Sequence, residues 1–166
     1  MKLLNGLFFI TASVISLNAF AVDRQAIQKC DTSENCLKLS EALYYEARGE
    51  SKEGIIAVGQ VVVNRSIRSS TDVVDVLEQK SFIKDKLVCQ FSYICDIFYK
   101  KLPPKVADVH LNKFKVIAQG VLDNKFPDYA QGADHFLNES IKPPVWTKNM
   151  SQVALIGNHV FFDSTR

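Results

Sequence analysis

Residues 37–48, Leu-Lys-Leu-Ser-Glu-Ala-Leu-Tyr-Tyr-Glu-Ala-Arg, then Gly49, then residues 54–67, Gly-Ile-Ile-Ala-Val-Gly-Gln-Val-Val-Val-Asn-Arg-Ser-Ile, decide the fold. In the first run Leu39, Ala42, Leu43 and Glu46 fall at helical spacing on one face. Asp31-Thr32-Ser33-Glu34 ahead of it has the form of a capping box, and Gly49 is a favoured residue just past a helix end. Glu50-Ser51-Lys52-Glu53 starts the second run, which is apolar nearly all round and therefore expected to be a buried central helix. Its valines make a buried strand the competing reading. The length of the run, with Gly54, Ala57 and Gly59 at close-packing points, favours a helix.

Working outward, Thr71 to Gln79 reads as a short third helix and residues 80–107 as irregular, with a stop at Pro103-Pro104. Asp108 is expected to cap an amphipathic helix with Leu111, Phe114, Ala118 and Val121 on one face, ending before Pro127. Asp128 to Val145 reads as loop with short extended pieces. Residues 153–156 and 159–162 flank Gly157-Asn158 and read as a β-hairpin. The expected class is mainly α, or α+β, with a small C-terminal β-hairpin.

Toward the N-terminus, Lys2 precedes a nearly continuous apolar run from Leu3 to Phe20 that closes on Ala19-Phe20-Ala21, the pattern of a cleaved export signal. The reading is a signal peptide over 1–21, an N-terminal extension over 22–36 and a catalytic domain over 37–166. An uncleaved membrane anchor is the alternative, because about 18 apolar residues just span a bilayer. Export places the chain in the periplasm or outside the cell, with no stable membrane partner once the signal is cut. Removing Lys2 with the signal lowers the formal net charge from +2 to +1, which offers no basic field for nucleic acid. Apolar content of 47% with 23% charged residues is that of an ordinary globular domain, expected here to be a monomer.

All four cysteines, at 30, 36, 89 and 95, lie beyond the signal, and an even number in an oxidising compartment suggests disulfides. Pairing Cys30 with Cys36 and Cys89 with Cys95 is the simplest of three connectivities. Zinc is the competing reading, disfavoured by the five-residue spacers. His110, His135 and His159 are scattered and form no metal-binding unit, so neither a metal nor another cofactor is expected.

Glu46 is the position most suggestive of chemistry. A carboxylate on an apolar helix face near the helix C-terminus is desolvated and meets the negative end of the dipole, and both effects raise its pKa toward that of a general acid. The competing reading is a salt bridge to a buried arginine such as Arg65. Glu50 and Glu53 read as N-terminal capping of the second helix. The segment Gln90-Phe91-Ser92, held between two cysteines, mixes amide, aromatic and hydroxyl groups suited to carbohydrate, with a stapled loop that binds nothing as its alternative. His135-Phe136 and Trp146 repeat that mixture, although a lone tryptophan is ordinarily core.

The run Glu41-Ala-Leu-Tyr-Tyr-Glu46-Ala-Arg-Gly-Glu50, with Glu53-Gly54 and Val58-Gly-Gln-Val-Val-Val-Asn64-Arg65, resembles the opening of SleB-type cell wall hydrolases. The resemblance continues through Cys89-Gln90-Phe91-Ser92, Cys95-Asp96, Gly132-Ala133-Asp134-His135-Phe136, Pro144-Val-Trp146 and Ile156-Gly157-Asn158-His159-Val160-Phe161, covering about residues 37–162. It departs from the family pattern at Asp134-His135-Phe136 and in having Cys30 and Cys36. What it implies is a lysozyme-like transglycosylase core acting on peptidoglycan glycan strands, with Glu46 as the catalytic acid. It further implies cleavage of the β-1,4 bond between N-acetylmuramic acid and N-acetylglucosamine, as in a lytic transglycosylase. A glycosidase with two carboxylates would need a partner for Glu46, and Asp134 and Glu139 are the nearest candidates by motif. An N-acetylmuramoyl-L-alanine amidase and a non-catalytic peptidoglycan-binding protein are the alternatives.

Overall fold

The computed structural model describes residues 24–101 and 106–165; the signal reading of 1–21 and the Pro103-Pro104 stop lie outside the described residues. Residues 24–31 are helical (α1) and turn through Thr32 into α2, Glu34–Ala47. Ser33, not Asp31, caps α2 by accepting from the Cys36 N–H at 3.3 Å. Asp31 is still on α1 and its carboxylate takes Lys115 Nζ at 2.7 Å, so it is not free to cap. A Cys30–Cys36 disulfide closes the corner, and both cysteines are fully buried. Residues 24–36 therefore pack into the same core as the rest of the chain.

Helix α3, Lys52–Ser69, is the buried central helix that its apolar run implies, with Ser51 as N-cap. Leu39 and Leu43 of α2 and Ile55, Val58, Val61 and Val62 of α3 have at most 1% exposure. Gly59 lets α3 approach its neighbours: a Cβ there would lie 3.3 Å from Val121 and 3.5 Å from Leu43. Helix α4, Val73–Glu78, follows. Helix α6, Asp108–Leu122, buries Leu111, Phe114, Ala118 and Val121 against α2 and α3, the face given by their spacing. Its N-cap is Ala107, and Asp108 instead reaches Lys115 Nζ at 3.4 Å.

Residues 80–101 are more ordered than their composition suggests. Strands β1, Lys80–Ile83, and β2, Lys86–Cys89, form a separate antiparallel hairpin. The short helix α5, Ser92–Phe98, is joined to it by a Cys89–Cys95 disulfide. Periodicity does not reveal the hairpin because β1 is exposed on both faces and β2 alternates only between exposed and half-buried positions over four residues.

At the C-terminal end, β4, Ser151–Ile156, and β5, His159–Asp163, pair around a two-residue Gly157-Asn158 turn, with Ile156 opposite His159. Gly157 has φ +58, the left-handed conformation such a turn favours. The hairpin is part of a three-stranded antiparallel sheet, order β3-β5-β4, because β3, His135–Asn138, adds to β5. A 3₁₀ turn, Val145–Asn149, precedes β4. The described residues are mainly helical, with two small antiparallel sheets. Among the described residues no helix is long and apolar enough to cross a membrane.

Candidate active site

The end of α2, the start of α5, strand β3, the 3₁₀ turn and the first residue of β5 converge on one open groove of about 610 Å³. Glu46 lines it from the last turn of α2, and Gln90, Phe91 and Ser92 line it from the disulfide-held segment. His135, Phe136 and Trp146 complete the set, so all seven residues singled out from the sequence meet at one site. Trp146 is not core: it keeps 36% exposure, held edge-on by Phe162 at 5.7 Å and tilted against His135 at 5.4 Å. An indole and imidazole beside a phenyl ring present flat apolar faces, with polar edges to pair hydroxyls, as a sugar requires.

Glu46 makes no ion pair with Arg65, which disposes of the salt-bridge alternative: among the described residues no carboxylate oxygen lies within 4.0 Å of that guanidinium. Burial pushes the Glu46 carboxyl up from 4.5 to about 7, and the nearby Asp96 carboxylate adds to the rise. Desolvation is the cause expected from the helix face; the Asp96 contribution depends on α5 being folded against α2. Tyr93 lies near the same charge, and burial, then Glu41 and Glu46, hold its phenol protonated. Its ring is buried and stacks on Tyr45 at 4.9 Å.

The two carboxylates proposed by motif as partners for Glu46 are elsewhere. Asp134 is buried and turned away from the groove, its Oδ2 2.6 Å from Arg68 Nη1 and its oxygens accepting from Ser164 and His135 Nδ1. Burial alone would raise its pKa, but those hydrogen bonds and Arg68 hold it well below the usual carboxylate range. Glu139 is exposed and does not line the groove. Asp96 is the carboxylate that influences Glu46; it belongs to the Cys95-Asp96 motif, but its spacing gave no sign that it would face Glu46.

Glu50 does not cap α3. Its carboxylate crosses to the β4–β5 turn, accepting from Asn158 N–H and from Asn158 Nδ2, each at 3.1 Å. Glu53 does lie in the first turn of α3. His159, next to that turn, lines the groove with its Nδ1 buried, without a hydrogen bond and 3.6 Å from Glu50 Oε1. Burial lowers its pKa, partly opposed by Glu50, so the ring is neutral near pH 7. Arg65, Asn138 and His159 are groove residues that helical and strand patterns could not find, because each reaches the site from a separate element. Among the described residues no group of three or more His, Cys, Asp or Glu side chains is placed to hold a metal.

The family model described as Cell Wall Hydrolase matches residues 49–162, about two thirds of the chain and every groove element except the end of α2. The chain belongs to the cell wall hydrolase family. It is accordingly an enzyme that acts on peptidoglycan. The fold agrees: the catalytic domain of the germination-specific lytic transglycosylase SleB from Bacillus anthracis is similar at 22% identity and TM-score 0.56, over 79% of this chain and 96% of that one. The catalytic domain of the SleB protein from Bacillus cereus is similar at 22% identity and TM-score 0.53, over 79% of this chain and 91% of that one. Comparison with curated proteins gave no match.

Proposed function

We propose that this cell wall hydrolase cleaves the β-1,4 bond between N-acetylmuramic acid and N-acetylglucosamine as a lytic transglycosylase, with Glu46 as its general acid and then base. The observation that carries the reading is a carboxyl titrating at about 7 in a groove lined by aromatic and amide side chains. At neutral pH such a group is partly protonated and donates to the glycosidic oxygen as the bond to muramyl C1 breaks. The carboxylate left behind takes the proton of the muramyl 6-hydroxyl as that oxygen bonds to C1, giving a 1,6-anhydro end. One carboxyl serves both steps, and Glu46 is the only carboxylate side chain lining the groove among the described residues.

Phe136, His135 and Trp146 stack on sugar faces in this reading, while Gln90 and Ser92 pair with hydroxyl or acetamido groups. The two disulfides suit an oxidising compartment and support the exported, periplasmic or secreted location read from residues 1–21. The chain acts as a monomer in this reading.

Incubating purified sacculi with the wild type and with Glu46→Gln, followed by mass spectrometry of the released muropeptides, tests the proposal. Anhydro-muramyl ends from the wild type and none from the variant are expected. Reducing ends would mean that water is the nucleophile, and Asp96→Asn would then show whether Asp96 is the second carboxylate. Free L-alanyl peptides with intact glycan would sink the glycosidase reading in favour of an amidase.

A further inference from the structure

A second cleft of about 680 Å³ adjoins the groove, and the two share Arg65 and His135 in their walls. Its lining carries many polar groups: Ser69, Thr71, Gln79 and Ser164 supply hydroxyls and an amide, and Arg68 a second guanidinium. The two arginines differ. Arg68 is neutralised twice, Nη1 2.6 Å from Asp134 and Nη2 3.1 Å from Asp163. Arg65 makes a 3.3 Å hydrogen bond to the neutral Gln79 and lies over the face of Phe91, 5.8 Å from its ring centre; it feels the charge of Asp134, which also lines the cleft, without an ion pair to it. The remaining carboxylate of the cleft, Asp75, lies in the first turn of α4 and accepts from the Asp72 N–H.

A half-buried guanidinium in direct contact with no carboxylate forgoes the bidentate geometry that suits it best, and Asp134 spends its own hydrogen-bonding oxygens on Arg68, Ser164 and His135. Here it stands where a groove for the glycan opens into a cleft able to hold a branch. We propose that Arg65 reads a carboxylate carried by the muramyl side chain of the substrate, with the second cleft accommodating that side chain. The inference rests on the glycan reading of the groove and adds what distinguishes one sugar of the strand from the next. N-acetylglucosamine has no carboxylate, whereas a muramyl residue carries one either on its lactyl ether or, when peptide-substituted, on the peptide stem. Arg65 therefore sets which sugar occupies the subsite beside Glu46.

Binding to the Glu46→Gln protein, which should hold substrate without cleaving it, provides the test. Calorimetry would compare three tetrasaccharides: an N-acetylglucosamine tetramer, the alternating muramyl tetramer with free lactyl groups, and the same tetramer bearing stem peptides. At least a tenfold preference for a carboxylate-bearing sugar is expected. That preference should fall toward one in Glu46→Gln/Arg65→Gln and be partly kept in Glu46→Gln/Arg65→Lys. Preference for the free lactyl form assigns the carboxylate to the lactyl ether, and preference for the peptide form assigns it to the stem. Should the arginine variants fail to fold, methyl esterification of the sugar carboxylates asks the same question from the ligand side and should weaken binding to the same degree. Equal binding of all three sugars, or a preference that survives both Arg65→Gln and esterification, overturns the inference alone. No binding of any of them overturns the glycan reading together with it.

Discussion

The Glu50 carboxylate spans from the α2–α3 junction to the β4–β5 turn and accepts two hydrogen bonds from Asn158, one from its backbone and one from its side chain. The Glu50 side chain keeps 8% exposure while Asn158 sits on an exposed turn, so this is a charge-assisted contact at the protein's edge between segments 108 residues apart. It joins the helical half of the groove, which carries Glu46, to the sheet half, which carries Phe136 and His159.

Removing that carboxylate should loosen the joint. Glu50→Ala removes the acceptor of both Asn158 hydrogen bonds, which water can partly replace on the exposed turn, and is expected to cost about 0.5–1.5 kcal/mol in urea unfolding. Glu50→Gln, which keeps one acceptor, should cost less. Activity on sacculi should fall further than stability in both, because the two walls of the groove lose their tie. Full activity in Glu50→Ala would remove this residue from the site.

Gly157 should tolerate no side chain. A Cβ there would overlap Glu50 Oε2, and φ +58 disfavours any L-residue. Gly157→Ala is therefore expected to lower the thermal midpoint more than Glu50→Gln does. In the double variant Glu50→Ala/Gly157→Ala part of that loss should be recovered, since the overlap is relieved and only the backbone strain is left. Strict additivity would show that the two residues do not interact.

Glu46 stores a pH-dependent instability. Its folded pKa of about 7 lies above its ordinary 4.5, so the folded state binds the proton more tightly than the unfolded chain. The stability that the protonated carboxyl adds is fully present below about pH 4.5 and is lost as pH rises through 7, where the buried carboxylate destabilises the fold. The difference corresponds to about 3 kcal/mol at most. Glu46→Gln should thus be more stable than the wild type at pH 8 and close to it at pH 4, as read by chemical denaturation. Wild-type activity should decline above pH 7 as the acid loses its proton.

The two disulfides should separate stability from function. Each closes a loop with a sequence separation of 6, for which chain entropy gives about 2 kcal/mol. Cys30 and Cys36 are fully buried in the core, so replacing both with serine adds a packing loss and should depress the melting temperature strongly. Replacing Cys89 and Cys95 should cost less stability but release the segment carrying Gln90, Phe91 and Ser92, raising KM on glycan fragments. A Cys89/Cys95 double variant with unchanged KM would show that the segment is held by Phe91 packing alone.

Asp134 should be required for the fold rather than for chemistry. Its carboxylate binds Arg68, Ser164 and His135 from inside the protein; Asp134→Asn weakens these contacts while Arg68 keeps Asp163, and is expected to cost about 1–3 kcal/mol. Because its pKa is held low, the stability it confers is present at neutral pH and is lost only as pH falls well below 4. Equilibrium unfolding of both proteins should show a stability gap between wild type and variant that is wide at pH 7 and narrower at pH 3.

Much was already determined by the order of the residues alone. The periodicity of residues 37–48 and 54–67 dictates two helices with a shared buried face, because burial of Leu39, Leu43, Ile55 and Val58 needs only local geometry to specify which side faces in. The Gly157-Asn158 turn and the face of α6 follow from equally local rules, and the ordered motifs point to a cell wall hydrolase. Placing Glu46 on that apolar face also made its raised pKa foreseeable.

Contacts between distant segments were decided only by the tertiary structure. Glu50 became a tie to Asn158 rather than a cap, Asp31 an ion-pair partner rather than a cap, and Asp96 the carboxylate felt by Glu46. Arg65 and His159 entered the groove from α3 and β5, and strand β3 joined the C-terminal sheet. Polar side chains near helix ends have several partners of comparable energy within reach, so sequence spacing leaves the choice open. The apolar faces must be buried first, and the packing they impose settles which donor each carboxylate meets.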